Sequence, residues 1–150
     1  MCNKIKEVDY LIIGKTGYLG NHIYLELIKQ NKKVNYIDNR LHDINGIKTQ
    51  LFLYKPNFVI NAAGLTGSPN IDWCDDNKEL TIETNVTYQL TLCHICRELN
   101  IHLTIFGSGG IFNSQGIKTE TDKGDYFGKF YSSARIYLEN MVRNYKNILY

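Results

Sequence analysis

The sequence predicts an α/β fold built on a parallel sheet, and three observations carry this prediction. Short apolar runs typical of buried strands alternate with longer amphipathic segments typical of helices. The first apolar run, residues 8–13, leads directly into a glycine-rich turn. Small residues also follow the third and fourth apolar runs. Strands separated by helices imply right-handed crossovers, and these produce a parallel sheet.

Length and composition agree with one domain over residues 1–150. The hydrophobic fraction is 43%, with only two prolines, which argues against disorder. A net charge of +2, without a dense Lys/Arg cluster, argues against a nucleic-acid partner. The N-terminal apolar run is too short for a membrane span or a signal sequence. We therefore expect a cytoplasmic protein without membrane contact, whose four cysteines stay reduced.

The glycine-rich turn has the sequence GKTGYLG and connects the first strand to the first helix. Gly14 allows a tight turn, Gly17 lets the backbone approach a phosphate, and Gly20 lets helix and strand pack closely. The first helical N–H groups then face the ligand, with the positive end of the helix dipole behind them. The turn therefore predicts a dinucleotide pyrophosphate site comprising Gly14, Thr16, Gly17, Tyr18, Leu19 and Gly20.

The remaining elements follow in alternating order. We predict strands at residues 34–37, 58–61, 101–106 and 148–150, and helices at residues 18–29, 47–54, 78–100 and 130–144. Residues 39–45, 65–77 and 107–129 are expected to form loops. Periodicity places four apolar residues on one face of the first helix, namely Leu19, Ile23, Leu27 and Ile28. In the second helix it directs Ile47, Leu51 and Phe52 inward. This order indicates a Rossmann-like, doubly wound sheet with its site along the carboxyl ends of the strands.

The end of the second strand bears on the choice of cofactor. An acidic residue there accepts hydrogen bonds from an adenosine ribose, whereas Arg or Lys just beyond it pairs with a 2′-phosphate. This chain has both, as Asp38 and Arg40. The charges alone leave the choice between NADH and NADPH open, and both residues also suit an ordinary polar loop.

The third strand ends in NAAG, which comprises Asn61, Ala62, Ala63 and Gly64. Small residues let the adenosine–ribose part of a dinucleotide pass close to the backbone. A simple turn at the strand end is the alternative. Because the glycine turn precedes it, we predict contact with the cofactor.

The fourth strand and the last helix supply candidate catalytic groups. Ser108 follows the strand, in FGSGGIF, where a reductase needs a hydroxyl to hold a substrate carbonyl. Tyr131 and Arg135 lie four residues apart and share a helix face. In a Tyr-x-x-x-Lys pair, the lysine holds the nicotinamide ribose and helps the tyrosine pass a proton to the developing alkoxide. Arg135 keeps the positive charge, but a guanidinium effectively cannot release a proton.

Other chemistry-bearing residues have simpler explanations. Cys93 and Cys96 form a CxxC pattern inside a predicted helix, where small buried thiols account for them. No second ligand pair is present, so we expect no metal site. Trp73, in the long loop above the strand ends, either lines a pocket or holds the loop in place.

The run VINAAGLTGSPNIDWCDDNKELTIETNVTYQLTLCHICR, residues 59–97, closely resembles the bifunctional enzymes of rhamnose synthesis. These are the UDP- or dTDP-4-keto-6-deoxyglucose 3,5-epimerase/4-reductases, relatives of dTDP-4-dehydrorhamnose reductase among the extended short-chain dehydrogenases/reductases. The pattern NAAG-x-TG-x-PN-x-DWC is highly specific. The resemblance extends from GKTGYLG through NRL, residues 39–41, to the end of the chain.

The resemblance implies NADPH as cofactor, with NADH accepted by some members, and a nucleotide-sugar substrate. Arg40 matches the basic residue near the 2′-phosphate, and Asn85 matches an asparagine that organises the site. Ser108 and Tyr131 match the hydroxyl pair that polarises the C4 ketone. Thr66, Gly67, Asn70 and Trp73 would line the sugar or nicotinamide side.

This sequence differs from the family pattern in three ways, and these differences bear on the activity that the resemblance implies. Arg135 replaces the catalytic lysine, and Gly110 replaces the cysteine of TGCIF that is implicated in epimerisation. Family members also continue beyond the fifth strand into a substrate-binding lobe, so we expect a domain truncated before that lobe. Self-association, or a partner chain that supplies the lobe, would then complete the site.

Two functions are therefore weighed. The first is NADPH-dependent reduction of a nucleotide-linked 4-keto-6-deoxyhexose, without epimerisation. The second is a non-catalytic NAD(P)-binding module, either regulatory or degenerate. Replacement of Arg135 by lysine discriminates between them, because only a weakened enzyme gains turnover.

Overall fold

A five-stranded parallel sheet forms the centre of the computed structural model, which describes residues 6–113 and 115–150. The strand order is β2-β1-β3-β4-β5, and every neighbouring pair is parallel. The strands are β1 (Tyr10–Ile13), β2 (Val34–Ile37), β3 (Phe58–Asn61), β4 (His102–Ile105) and β5 (Ile148–Leu149). The predicted Rossmann-like fold is confirmed. Cys2, one of the thiols expected to stay reduced, lies outside the described residues.

In the described residues, six α-helices connect or flank the strands. They are α1 (Tyr18–Lys29), α2 (Ile44–Tyr54), α3 (Trp73–Asp76), α4 (Lys78–Ile82), α5 (Tyr88–Glu98) and α6 (Phe130–Val142). A π-helical turn, Glu83–Thr87, joins α4 to α5, and a 3-10 turn, Gly109–Ile111, follows β4.

Several predicted boundaries are wrong for identifiable reasons. The second helix begins at Ile44 because the Asp43 side chain caps it, accepting a hydrogen bond from the Gly46 amide at 2.9 Å. The predicted loop 65–77 contains α3, and the predicted loop 107–129 contains the short 3-10 turn Gly109–Ile111. The predicted helix 78–100 is interrupted by the π-helical turn and ends at Glu98.

The two faces of the sheet are covered unequally. The β1-to-β2 connection runs in the opposite direction along the sheet to the later connections, so right-handed crossovers place α1 on one face and α2, α5 and α6 on the other. The core cluster accordingly combines β1, β3 and β4 with α2, α5 and α6, through residues such as Leu11, Leu51, Leu92, Leu103 and Leu138.

The prediction that Phe52 faces inward is wrong, and the apolar face predicted for α1 is only partly covered. Leu19 and Ile28 of α1 are 41% and 47% exposed, and Phe52 of α2 is 53% exposed. Helix α1 packs mainly on β1 and β2, and its flanks at Leu19 and Ile28 are exposed. Phe52 follows the fully buried Leu51 and lies at the edge of the α2 face that packs on the core.

Parallel strands place all their carboxyl ends at one edge of the sheet, and the segments that follow β1, β2, β3 and β4 meet there. This edge carries the candidate site. Within the described part of the chain, none of the helices combines the length and apolar character needed to cross a membrane.

Candidate functional site

Close packing holds the glycine turn against the end of β3. Gly14 has φ +80°, and a Cβ atom built there would come within 2.6 Å of the Ala63 amide nitrogen. A Cβ atom on Gly20 would collide with the Gly14 carbonyl oxygen, so both positions require glycine. A Cβ atom on Gly17 would lie 3.4 Å from the Gly14 carbonyl oxygen, an ordinary contact. The turn therefore brings the start of α1 close to the carboxyl edge of the sheet.

The first amides of α1 have no partner within the helix. Gly17 is the N-cap, and within the described residues no side chain caps this helix. The first helical hydrogen bond runs from the Asn21 amide to the Gly17 carbonyl at 3.0 Å, so the amides of Tyr18, Leu19 and Gly20 precede the helical ladder. Such amides, with the helix dipole behind them, favour an anion such as a pyrophosphate.

A buried amide network fixes the NAAG turn. The Asn61 side chain accepts from the Ala63 amide at 3.0 Å and donates to Gln89 Oε1 at 2.5 Å. Gln89 Nε2 in turn donates to the Ala63 carbonyl at 3.0 Å. Gln89 is fully buried, and sequence reasoning missed it. Its only signal was a position four residues after Asn85 on the same helical face.

Asn85 lies on the π-helical turn and holds the next residue of the loop. Its Oδ1 accepts from the Leu65 amide at 2.8 Å, and its Nδ2 donates to the Leu65 carbonyl at 2.6 Å. The Ala62 amide donates to the Ile13 carbonyl at 2.9 Å, which joins the turn to β1. The segment from Asn61 to Leu65 is thus fixed through its backbone, and Gly64 lies between the two held residues.

Two adjoining cavities lie at the ends of β2 and β3. The small cavity, about 150 Å³, lies between the turn Gly14–Thr16 and the segment Asp38–Arg40. The large cavity, about 420 Å³, lies between Arg40–His42 and Ala63–Leu65. They share Arg40, Leu41 and Ala63. The predicted residues Asp38 and Arg40 are therefore brought together with the glycine turn.

Lys15 is a second cation at the small cavity that sequence reasoning did not single out. Its ammonium lies 4.8 Å from the ring centroid of Tyr36 and 5.2 Å from that of Tyr24. These aromatic contacts hold the side chain beside β2, on the same side of the turn as Arg40. The small cavity therefore contains two positive charges and one carboxylate.

The segment after β4 is attached to the first turns of α6. Ser132 Oγ donates to the Gly110 carbonyl at 2.7 Å, and the Gly110 amide donates to Ser108 Oγ at 3.2 Å. Tyr131, beside Ser132, is 8% exposed. These contacts bring the turn that carries Ser108 and the helix that carries Tyr131 together at the carboxyl edge of the sheet.

Arg135 lies one turn after Tyr131 and is 5% exposed. Its Nη2 donates to the Phe106 carbonyl at the end of β4, and its Nε has no hydrogen-bond partner among the described residues. Tyr150 covers the guanidinium, with 5.4 Å between ring centroid and guanidinium carbon. Burial raises the pKa of Tyr150 to about 12, and its hydroxyl donates to the Arg135 carbonyl at 3.1 Å. A buried cation with a free donor therefore lies at the end of β4.

The loop after β3 contains the four predicted substrate-side residues. Gly67 has φ +76°, and a Cβ atom there would lie 2.7 Å from the Trp73 Cβ atom, so Trp73 packs against the turn at Gly67. Asn70 Oδ1 accepts from the Asp72 amide at 2.9 Å. Thr66 lies between Gly67 and the held residue Leu65. These contacts favour a role for Trp73 in shaping the loop.

An acidic pair anchors α3 to the start of α6. Asp75 Oδ1 accepts from the Phe130 amide at 2.8 Å, and this hydrogen bond is the main reason that the pKa of Asp75 is lowered. Lys129 Nζ lies 2.8 Å from Asp72 Oδ1 and 3.4 Å from Asp75 Oδ2. The loop after β3 is thus joined to the helix that carries Tyr131. Sequence reasoning missed this contact because it links residues far apart in the chain.

The CxxC thiols are buried within α5. Burial raises the pKa of both Cys93 and Cys96 to about 12. Such thiols stay protonated at neutral pH and pack as small apolar side chains. This environment favours the structural explanation of the motif.

Comparisons with known proteins agree with this geometry. The family model of the NAD dependent epimerase/dehydratase family matches residues 10–147. The bifunctional dTDP-4-dehydrorhamnose 3,5-epimerase/dTDP-4-dehydrorhamnose reductase of Arabidopsis thaliana is 38% identical over 149 residues, which cover 93% of this chain and 49% of the relative. A trifunctional UDP-glucose 4,6-dehydratase/UDP-4-keto-6-deoxy-D-glucose 3,5-epimerase/UDP-4-keto-L-rhamnose-reductase of the same plant is 38% identical, over 94% of this chain and 22% of the relative.

Solved structures share the fold. The L780 UDP-rhamnose synthase of Acanthamoeba polyphaga mimivirus superposes with a TM-score of 0.84 and 27% identity, over 95% of this chain and 54% of that one. The dTDP-4-dehydrorhamnose reductase of Bacillus anthracis, in complex with NADP, superposes with a TM-score of 0.81 and 15% identity, over 95% and 51% of the two chains. The chain thus spans about half the length of these structures. The resemblance seen in the sequence is confirmed, and the chain belongs to the NAD dependent epimerase/dehydratase family.

Proposed function

We propose that the chain is an NADPH-dependent reductase of a nucleotide-linked 4-keto-6-deoxyhexose in rhamnose-type nucleotide-sugar synthesis. One observation carries the proposal: the amides that precede the helical ladder of α1, and the segments that carry Ser108, Tyr131 and Arg135, lie at the same edge of one sheet. A site that transfers a hydride to a ketone needs a dinucleotide-binding site next to a proton donor. The rhamnose-pathway names of the relatives support the substrate class.

The residues present fit a nicotinamide dinucleotide. The amides of Tyr18, Leu19 and Gly20 would bind the pyrophosphate, and the NAAG turn would contact the adenosine side. Arg40 would pair with the 2′-phosphate of NADPH, and Asp38 would contact the ribose hydroxyls. The unsatisfied Nε of the buried Arg135 supports this fit, because a ribose hydroxyl could satisfy that donor.

The proposed chemistry needs three side chains of this chain. The cofactor supplies a hydride to C4 of the sugar when it is bound. Ser108 would hold the C4 carbonyl oxygen, and Tyr131 would give its proton to the alkoxide that forms there. Arg135 would orient the nicotinamide ribose and stabilise negative charge on the tyrosine oxygen. Asn85 would keep the loop after β3 in position, with Thr66, Gly67, Asn70 and Trp73 on the substrate side.

Epimerase activity is not part of the proposal. Moving a proton at C3 or C5 of the sugar needs a side chain that accepts or donates one, and Gly110 has none. We also propose that the chain associates with a second copy of itself or with a partner. The proposed compartment is the cytoplasm, where the free thiols Cys74, Cys93 and Cys96 stay reduced.

The alternative function is a non-catalytic NAD(P)-binding module. Arg135 favours it, because an arginine at this position cannot relay a proton. In this case the cofactor would bind with similar affinity while reduction of a 4-keto sugar remained absent.

A titration of the purified chain with NADPH and NADH, followed by cofactor fluorescence, tests the proposal. We expect saturable binding of NADPH that is tighter than that of NADH. Arg40→Ala should weaken NADPH binding by about 10-fold or more, because a charge-assisted contact to the 2′-phosphate is lost. Arg97→Ala is the matched control, since Arg97 lies on α5 against the Tyr145 ring. Failure of both cofactors to bind would overturn the reductase and the module alike.

A further inference from the structure

We propose that the edge of the sheet opposite the candidate site binds an acidic peptide segment of a partner protein, with an apolar side chain between its acidic residues. The binding surface is formed by two adjoining cavities, lined by residues 51–52, 55–57, 97, 99–101 and 144–147, and we call it the amino-edge groove. This inference goes beyond the proposed function and does not depend on it, because the groove contains none of the residues assigned to the cofactor or the substrate.

The amino-edge groove lies where the chain enters three neighbouring strands. Residues 55–57 precede β3, residues 99–101 precede β4, and residues 144–147 precede β5. Because the strands are parallel, these loops lie at the amino ends of the strands, opposite the carboxyl edge that carries the candidate site. The first two loops line a cavity of about 340 Å³. The third loop lines a cavity of about 490 Å³, and the two cavities share Asn100.

Hydrogen bonds between the loops and the strands fix the base of the groove. The His102 amide donates to the Asn57 carbonyl at 3.0 Å, and the Leu103 amide donates to the Asn147 carbonyl at 2.9 Å. The Asn147 side chain also donates to the Ile101 carbonyl at 2.8 Å. A surface that is ordered before binding loses little conformational entropy when a ligand arrives, which favours affinity.

One end of the groove is apolar. Phe52 is 53% exposed although Leu51, beside it in the chain, is buried. Both line the smaller cavity together with Pro56 and Leu99. A leucine or phenylalanine of a peptide that entered this cavity would be removed from water together with the Phe52 ring, and such burial favours binding.

The rest of the groove is positively charged. Lys55, Arg97 and Lys146 line it, and among the described residues its lining includes neither aspartate nor glutamate. Within residues 6–113 and 115–150, these three cations form no ion pair. The guanidinium carbon of Arg97 lies 5.6 Å from the centroid of the Tyr145 ring, which holds this cation at the groove. Cations without acidic partners favour a ligand that carries carboxylates.

The helix ends at this edge offset only part of the charge. Helices α2, α5 and α6 end beside the groove. Because the C-terminus of a helix is equivalent to about half a negative charge, three such ends offset about half of the charge of the three cations. Glu98 follows Arg97 in the sequence, but its carboxylate lies 3.3 Å from His94 Nε2. The groove therefore keeps a positive charge beside an apolar cavity. A nucleic acid needs a denser set of Lys and Arg contacts, so this combination favours a peptide.

The probe for the test is a fluorescein-labelled peptide with several glutamates on each side of a central Leu-Phe pair. Fluorescence anisotropy follows its titration with the purified chain. We expect saturable binding that weakens as salt is added, because salt screens the attraction between exposed charges. Absence of binding at low salt would overturn the inference. Equal binding of a peptide with two serines in place of the Leu-Phe pair would also overturn it, since the apolar cavity would then have no role.

Two competitors test the location and the class of partner. Saturating NADPH should leave the affinity for the peptide unchanged, because the candidate cofactor site lies at the opposite edge of the sheet. Displacement of the peptide by NADPH would contradict binding at the amino-edge groove. A single-stranded oligonucleotide of comparable charge should compete about 10-fold or more weakly than unlabelled peptide, because it offers no apolar side chain to the cavity. Equal competition would show a general anion surface and overturn the peptide assignment.

Two substitutions attribute the binding to the groove. Arg97→Glu and Phe52→Ala should each weaken peptide binding by about 10-fold or more, the first through charge repulsion and the second through lost apolar contact. Lys123→Glu makes the same charge change in the loop after β4, outside the groove, and should keep the wild-type affinity. Phe127→Ala is the matched apolar control, since Phe127 is 55% exposed and also lies outside the groove. Equal effects of the substitutions and their controls would overturn the assignment.

Discussion

Arg135 is the residue at which the candidate site departs from the Tyr-x-x-x-Lys pattern expected of a reductase. Burying a guanidinium is costly unless its donors are satisfied. Here one nitrogen donates to the Phe106 carbonyl, the Tyr150 ring covers the guanidinium, and Nε is left without a partner among the described residues. A buried donor such as Arg135 Nε normally has a hydrogen-bond partner, and an oxygen of a bound ligand could be that partner.

Arg135→Lys tests whether this position limits turnover. We expect the reduction rate of a 4-keto-6-deoxy nucleotide sugar to rise by about 10-fold or more, because a lysine can both hold the ribose and relay a proton. The measurement is NADPH oxidation at 340 nm under saturating cofactor, with NADPH affinity recorded in parallel.

Arg143→Lys is the matched control for this variant, since Arg143 follows α6 and pairs with Glu139 outside the site. Its turnover should equal that of the wild type. An Arg135→Lys protein that binds NADPH normally and gains no turnover would favour the non-catalytic module.

The π-helical turn helps to hold one wall of the site, which is the backbone of residues 63–65, in place. Positions four apart drift by about 40° per step around an α-helix, because one turn takes about 3.6 residues. The wider π-helical turn reduces this drift, so that Thr81, Asn85 and Gln89 all stay buried on one side. Two of these side chains then reach the backbone of residues 63–65. Turns of this kind are frequent at functional sites.

Asn85→Ala should disconnect this wall. The substitution removes two hydrogen bonds and leaves the amide and carbonyl of Leu65 without these partners. We therefore expect the free energy of unfolding to fall by about 2–4 kcal/mol. NADPH affinity should fall as well, because the loop beside the large cavity loses its anchor. Urea unfolding and cofactor titration measure the two effects.

Thr91→Ala provides the comparison, since among the described residues the Thr91 hydroxyl donates only to the carbonyl of Thr87, the residue just before α5, at 2.9 Å. Its stability should change by less than about 1 kcal/mol. A stable Asn85→Ala protein with wild-type affinity would show that the wall does not depend on this side chain.

The sequence predicts elements that depend on local patterns better than elements that depend on contacts between distant residues. Strands β2 and β3 and helix α1 have the predicted bounds, because apolar runs and periodicity are local signals. The π-helical turn could not be predicted, since a four-residue spacing of buried positions also suits an α-helix. Gln89 was missed because a polar residue in an amphipathic helix usually faces solvent, and its partners Asn61 and Ala63 are distant in sequence.

At the scale of the whole molecule, periodicity identifies the inward face of a helix but not whether a neighbour covers its flanks. Leu19 and Ile28 have the predicted spacing and are nevertheless exposed, because α1 lies alone on its face of the sheet in the described chain. The order of the strands in the sheet determines which helices lie beside α1, and a local sequence pattern does not contain that order. The predicted roles of the individual site residues likewise stay predictions until ligand binding is measured.

On the face of the sheet that α1 covers only in part, a strip of aromatic and aliphatic side chains runs from β1 across β3 and β4 to β5. Strand residues alternate between faces, so Tyr10, Phe58 and His102 form one row there, with ring centroids 5.1 Å and 5.7 Å apart. Phe58 is 40% exposed and Leu149 is 58% exposed. Parallel sheets normally have both faces covered, and exposed apolar patches promote association.

We therefore expect the isolated chain to self-associate reversibly, and Phe58→Gln to weaken this association by about 10-fold or more, since the burial of a phenylalanine is lost. Sedimentation velocity over a range of concentrations measures the dissociation constant. Phe52→Gln is the control, because Phe52 is similarly exposed, at 53%, but lies on α2 and hence on the other side of the sheet. A chain that stays monomeric at every concentration, or an equal effect of the two substitutions, would contradict association through the strip. If Phe58→Gln weakens the association and Phe52→Gln does not, the strip that contains Phe58 is the surface through which two copies associate.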